Sequence, residues 1–285
     1  MNEYFPPQWI ESNKENFKKK LREDSFENYV KFSEHYNILN IRLISDLPPS
    51  ITNVYQKKKE PSFFLIESSF FHFMYTYLYK LRYLCQSLNF TFEEGNFVSS
   101  VVLARSMFET ICCYCYFLRR IENKVTSMSN PSNSSEIGRL MYEVMDLLHR
   151  SHAGSNFNWQ ENLKLDFKLK TQKQLHINDP IRELEKKSKK PVKKYYSLLS
   201  EMTHPNFGSN TLIIQTRGGE SEVAYELILG NTKHSECLMW FFDNLSEVMY
   251  EMTNFALTSM DKTKDLSILF KNLTSIYENS NKSVH

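Results

Sequence analysis

The stretch FVSSVVLARSMFETICCYCYFLRR, residues 97–120, decides the fold. It is apolar along most of its length and ends at Arg119 and Arg120. A bilayer span needs about 20 mostly apolar residues with few charges. Here Arg105 and Glu109 stand mid-segment, and a single Arg or Asp costs about 2.5–3.5 kcal/mol at a bilayer centre. The segment, about 96–122, therefore reads as the central helix of a soluble protein with no membrane role. Arg105 and Glu109 are four apart and share one helix face, together with Val101, Val102, Cys112 and Tyr116. A charge on a buried face needs a partner. Two readings stay open. The pair is an internal salt bridge that fixes helix register, or it lines a polar pocket whose guanidinium is ready for phosphate.

Working outward, residues 62–89 form a second core helix carrying Ile66, Phe70, Phe73, Met74, Tyr77 and Leu81. Residues 1–20 read as an irregular arm. Residues 21–45 place Phe26, Tyr29, Val30, Tyr36, Ile41 and Ile44 on one face of an amphipathic helix, and Leu47-Pro48-Pro49 stops it. Downstream, the Ser- and Asn-rich residues 126–135 form a linker. A helix follows over 136–150, then a loop over 151–158 and an ambiguous polar segment over 159–176. Asp179-Pro180 opens a helix that ends near Pro191. Residues 192–204 make another, closed by His204-Pro205. TLIIQT (211–216) and EVAYELIL (222–229) flank Arg217-Gly218-Gly219-Glu220, a hairpin signal. One or two helices, about 232–258 and 263–277, close the chain.

The expected class is all-α: a helical bundle with one small β-hairpin insertion at about 211–229. Its expected divisions are an N-terminal arm and amphipathic helix (1–60), a helical domain with the hairpin (61–278) and a disordered tail (279–285). Composition agrees. Only 7 of 285 residues are glycine, where average usage of about 7% gives roughly 20. No G-x-G-x-x-G or P-loop pattern occurs, so dinucleotide and P-loop phosphate binding are excluded as function classes. The formal net charge is only +2, so a polyanion site must come from a local cluster. Three of the five cysteines crowd into 112–115 without a C-x-x-C spacing. They read as buried thiols of a reducing compartment. The N-terminus lacks a charged-then-apolar signal, so the expected location is cytoplasmic.

Two further groups carry possible chemistry. In SLLSEMTHPN (197–206), Ser197, Glu201 and His204 fall on one helix face. The residue before a proline is pushed out of helical geometry, so His204 stands at the helix C-terminus, where the dipole favours a cationic ring. It is a general acid–base candidate or a helix cap without chemistry. Second, Lys186, Lys187, Lys189, Lys190, Lys193 and Lys194 precede this helix, with Tyr195 and Tyr196 following. The run is either an RNA-backbone contact or a solvated face. His149 and His152 lack further nearby ligands, so no metal is assigned.

Leu103-Ala104-Arg105-Ser106-Met107-Phe108-Glu109, followed some 90 residues later by Tyr196-Ser197-Leu198-Leu199-Ser200-Glu201-Met202-Thr203-His204-Pro205-Asn206, resembles a group of bacterial helical proteins. These carry an L-x-R-S-x-x-E helix and an S-E-x-x-H-P segment and look related to the HEPN superfamily. The resemblance covers roughly residues 60–260. It implies a helical bundle, often dimeric, in antiphage or toxin–antitoxin systems, with a possible partner protein such as an antitoxin. It also implies metal-independent RNA cleavage without a cofactor, in which an arginine holds the phosphate and a histidine helps the 2′-hydroxyl attack. On this chain those roles fall to Arg105 and His204, oriented by Glu109 and Glu201. The lysine run, Tyr196 and Asn206 hold the RNA. The superfamily's R-x4–6-H spacing is absent, since no arginine lies five to seven positions before any of the eight histidines. Arg105 and His204 can meet only through the fold. In the alternative reading the same residues are a structural polar network of a non-catalytic interaction or sensor module.

Overall fold

A computed structural model describes residues 23–45, 63–93, 96–128, 134–153, 175–204, 214–218, 223–227 and 236–282. Among these the chain is all-α. Its helices are α1 (Glu23–Ser45), α2 (Phe63–Glu93), α3 (Phe97–Met128), α4 (Ser134–Ala153), α5 (Asn178–Ser188), α6 (Val192–Thr203) and α7 (Glu236–Lys282). Between α6 and α7, β1 (Ile214–Gly218) pairs antiparallel with β2 (Val223–Leu227), Thr216 opposite Tyr225. The ladder takes in Arg217 and Gly218, which read as turn residues in the sequence. The N-terminal arm, most of 151–176 and Asn206 lie outside the described residues. The closing region is one helix of 47 residues, and it reaches Lys282.

The chain divides into two compact units that interleave along the sequence. The first comprises residues 1–46, 80–111 and 185–257. It is held by α3 against α2, where Cys85 Sγ meets Met107 Sδ at 3.5 Å, and by α1 against α7, where the His35 and Tyr250 rings lie 5.2 Å apart. The second comprises 47–79, 112–184 and 258–285. Its core is aromatic: Phe70 lies 5.0 Å from Phe270, and Phe73 stacks on Tyr114 at 5.4 Å. The Tyr114 hydroxyl is hydrogen-bonded to Thr263. Phe70, Phe73 and Phe270 are fully buried, each worth about 1.5–3 kcal/mol of transfer free energy.

Two expectations shift. On α1 the buried line is Ser25, Phe32, Tyr36 and Leu39, whereas Val30 and Ile41 are exposed. Of the face read in the sequence, Tyr36 lies on the core side, while Val30 and Ile41 do not. Phe32 and Leu39 take the inside, and smaller branched residues take the outside. On α3, Val101 and Cys112 are buried, but Val102 is 51% exposed. The Arg105 face is thus the border of the buried stripe and not its middle. α3 is also the one described helix long and apolar enough to cross a membrane by length and composition. Over half of that window is buried inside the protein.

Candidate functional site

The site joins α3 to α6 within the first unit. α6 begins after Pro191, with Val192, Tyr195, Leu199 and Met202 buried. It ends because His204 precedes Pro205: the His204 backbone is extended (φ −83°, ψ 151°), while its N–H still bonds the Ser200 carbonyl at 3.1 Å. That turn carries the His204 ring to α3. Arg105 Nη1 lies 3.3 Å from His204 Nε2, across 99 residues of sequence.

Three other groups fix the guanidinium. Nε donates to Glu109 Oε1 at 3.1 Å, Nη1 to Thr203 Oγ1 at 2.7 Å, and Nη2 to the Tyr196 hydroxyl at 3.2 Å. Tyr196 itself stacks on the buried Phe108 at 5.9 Å, which ties the cluster to the core of α3. Burial works against the Arg105 charge, but the hydrogen bonds to Glu109 and Tyr196 outweigh it and hold the group above its ordinary value. The Arg105 side chain is 22% exposed and Glu109 37%, and His204 is exposed. The arrangement is therefore open to an incoming group. A guanidinium has only donors, so the Arg105–His204 contact is a hydrogen bond only when Nε2 is unprotonated. That is the form a proton acceptor requires.

The structure thus brings together Arg105, Glu109, Tyr196 and His204, all singled out in the sequence, and adds Thr203. Thr203 also donates back to the Ser200 carbonyl at 3.2 Å, the habit of a threonine in a last helical turn. That habit was its only sequence signal. Glu201 lies on α6 and is exposed. Asn206 is outside the described residues.

The lysine run splits. Lys186, Lys187, Lys189, Lys193 and Lys194 are exposed. Lys190 is exposed as well but engaged: its Nζ sits 2.7 Å from Glu251 Oε1, on a carboxylate only 6% exposed. The hydrogen bond to Glu251 raises the Lys190 pKa against a desolvation penalty. The reason is the turn between α5 and α6. Lys189 takes a left-handed conformation (φ 57°) that closes α5. The next residue is thereby aimed at α7. Nearby, the Tyr195 hydroxyl donates to Glu247 at 2.8 Å. Among the described residues no group of three or more His, Cys, Asp or Glu could hold a metal ion.

Compared with protein-family models, curated proteins and solved structures, the chain has no significant match to any of the three.

Proposed function

We propose that this chain is a HEPN-like RNA-targeting effector, a metal-independent ribonuclease of a bacterial antiphage defence or toxin–antitoxin system. The observation that carries the reading is the 3.3 Å approach of Arg105 to His204. It supplies in space the arginine–histidine pair that the sequence spacing lacks. In this reading Arg105 binds the scissile phosphate and stabilises the charge that builds on it. A guanidinium has five N–H groups. A phosphate oxygen reaches it through the one left over from Glu109, Thr203, His204 and Tyr196, or by displacing a hydroxyl. His204 Nε2 releases its hydrogen bond from Arg105 and takes the proton from the 2′-hydroxyl. The 2′-oxygen–phosphorus bond forms, the 5′-oxygen–phosphorus bond breaks, and water protonates the leaving 5′-oxygen. Glu109 orients the arginine, and Glu201 adds negative charge on the histidine's helix. Lys186, Lys187, Lys189, Lys193 and Lys194 hold the strand. The segment at about 211–229 is read as a hairpin insertion following directly on the His204 turn, with Asn206 at its entry. The protein acts in the cytoplasm, as a homodimer, off the membrane, and under the control of a partner protein.

One observation favours the second reading, a non-catalytic network. Arg105 already has four partners within the chain, which is how a purely structural arginine is satisfied. The two separate on one experiment. Purified protein is assayed on total RNA with EDTA present, alongside Arg105→Ala and His204→Ala checked by circular dichroism. The ribonuclease reading expects cleavage by the parent and at least about a hundredfold loss in either folded variant. Absence of cleavage by the folded parent sinks that reading. Variants that melt point to the network.

A further inference from the structure

Four groups hold Arg105, and they do not hold it equally. Nη1 donates to Thr203 Oγ1 at 2.7 Å, the shortest of the set, and Nε donates to the Glu109 carboxylate at 3.1 Å. Nη2 reaches the Tyr196 hydroxyl at 3.2 Å, the long end for an N–H···O bond, and Nη1 reaches His204 Nε2 at 3.3 Å. The first two acceptors are also the better fixed. Glu109 is charged and stands four residues along α3 from Arg105. The single Thr203 hydroxyl proton goes to the Ser200 carbonyl at 3.2 Å, so the oxygen is left to accept from Arg105. The β-branch stiffens that side chain further. By contrast, Tyr196 is placed by its ring, stacked on Phe108 at 5.9 Å, and its hydroxyl meets only Arg105 among the described residues. His204 is exposed.

The end of α6 explains how two neighbours come to share one nitrogen. Consecutive residues of an α-helix point about 100° apart, yet Thr203 and His204 both reach Nη1. The helix stops between them. Thr203 is the last helical residue, and the His204 backbone is extended (φ −83°, ψ 151°). The helix end thus sets one firm and one loose acceptor on the same nitrogen.

We propose that Thr203 is the positioning residue of this site: with Glu109 it anchors the guanidinium, while His204 Nε2 and the Tyr196 hydroxyl give way to two oxygens of one phosphodiester. The donor count allows it. A guanidinium has five N–H groups, and the two anchors use one on Nε and one on Nη1. Releasing His204 and Tyr196 leaves one hydrogen on Nη1 and both on Nη2, enough for a paired contact to phosphate. Hydrogen bonds to two neutral acceptors are exchanged for bonds to an anion, which are the stronger kind. The same exchange frees Nε2. His204 is therefore masked until a phosphate arrives, and the incoming group unmasks the base that acts on it. The proposal rests on the reading of Arg105 as the phosphate-binding group and adds which of its partners stay and which leave.

The test uses the full chain and two readouts. The first is fluorescence anisotropy, at fixed salt, with a short single-stranded oligodeoxythymidine. That probe carries phosphodiesters but no 2′-hydroxyl, so this chemistry cannot cut it. The second is cleavage of total RNA. Thr203→Val keeps the side-chain shape and removes the hydroxyl. It is expected to weaken strand binding about tenfold or more, the effect of one hydrogen bond to a charged group. Thr203→Ser, which returns the hydroxyl, is expected to bind within about threefold of the parent. Tyr196→Phe keeps the ring on Phe108 and removes only the hydroxyl that leaves, so it binds the strand at least as tightly as the parent. A purely structural network makes the two hydroxyl losses alike. Thr203→Ala replaces Thr203→Val if circular dichroism shows that variant unfolded. The proposal is overturned by a folded Thr203 variant without the hydroxyl that binds like the parent, or by a Tyr196→Phe loss as large as that of Thr203→Val. Equal strand binding by the parent and Arg105→Gln, or none by the parent, also overturns it, because no phosphate then sits on Arg105. A parent that cleaves no RNA but shows the opposed effects on binding keeps the exchange at Arg105 and counts against the ribonuclease reading alone.

Discussion

The two halves of α3 carry opposite chemistry. The first, Phe97–Ile111, belongs to the first unit and presents Arg105 and Glu109 at the border of its buried stripe, in hydrogen bonds to Thr203, Tyr196 and His204 on α6. The second, Cys112–Met128, belongs to the second unit and is packed through Tyr114 into Phe73 and Tyr77. Its polar links tie it to neighbouring helices, such as the Cys115–Ser259 contact at 3.0 Å and the Lys262–Glu122 pair at 2.9 Å. The first half turns Arg105 toward an exposed histidine, whereas the second half is packed by its aromatic side chains. Stability and function should therefore come apart on mutation.

The largest effect belongs to the aromatic unit. Phe70→Ala leaves a void against Phe270 and should cost about 3–5 kcal/mol in urea denaturation. Under conditions where the variant stays folded, its RNA cleavage should match the parent's. A loss of cleavage in the folded state would break the separation.

One acid-sensitive contribution to stability lies in the first unit. Burial lowers the His35 pKa below its ordinary 6.5, only partly offset by Glu34 and Glu251. As pH falls the unfolded chain therefore takes up this proton first. The contribution of His35 is intact above about pH 6.5 and is lost as pH drops through the lower folded value. His35→Phe should flatten this slope between pH 7.5 and 5, by no more than about 1.4 kcal/mol per pH unit for one proton. An unchanged slope would assign the acid sensitivity to other groups.

The smallest stability effect should come from the candidate site itself. Arg105→Gln removes an ion pair with 22% and 37% of its side chains exposed. Pairs this open are worth about 0–1 kcal/mol. Thr203 and Tyr196 can turn their hydroxyls to water. A urea midpoint within that range, with cleavage lost, sharpens the contrast between the halves. A loss as large as that of Phe70→Ala would make Arg105 a structural residue.

Much of this was legible in the chain. Helical periodicity marked α2, α3 and α6 because their apolar residues are large and regularly spaced. Arg105 and Glu109 were readable as a pair because four residues bring side chains to one face. His204 was readable as a helix end because Pro205 forbids continuing the helix. The face of α1 was read correctly at Tyr36 but not at Val30 and Ile41. Val30, Ile41, Phe32 and Leu39 offer two competing apolar stripes, and only the neighbours on α7 choose between them. Thr203 was missed because nothing local says which last-turn hydroxyl will meet an arginine 98 positions away. Lys190 was indistinguishable from the lysines around it, since its partner Glu251 lies 61 residues on.

The sequence by itself determined the class of the protein, the existence of most of its helices and the two short segments that could hold chemistry. All of these rest on interactions within a few residues. Tertiary packing alone decided that Arg105 and His204 share one site, that Tyr196 and Thr203 hold the guanidinium, and that Lys190 pairs with Glu251. Each of these depends on distances between helices far apart in the chain. Local propensity does not encode such distances, and the fit of buried side chains fixes them.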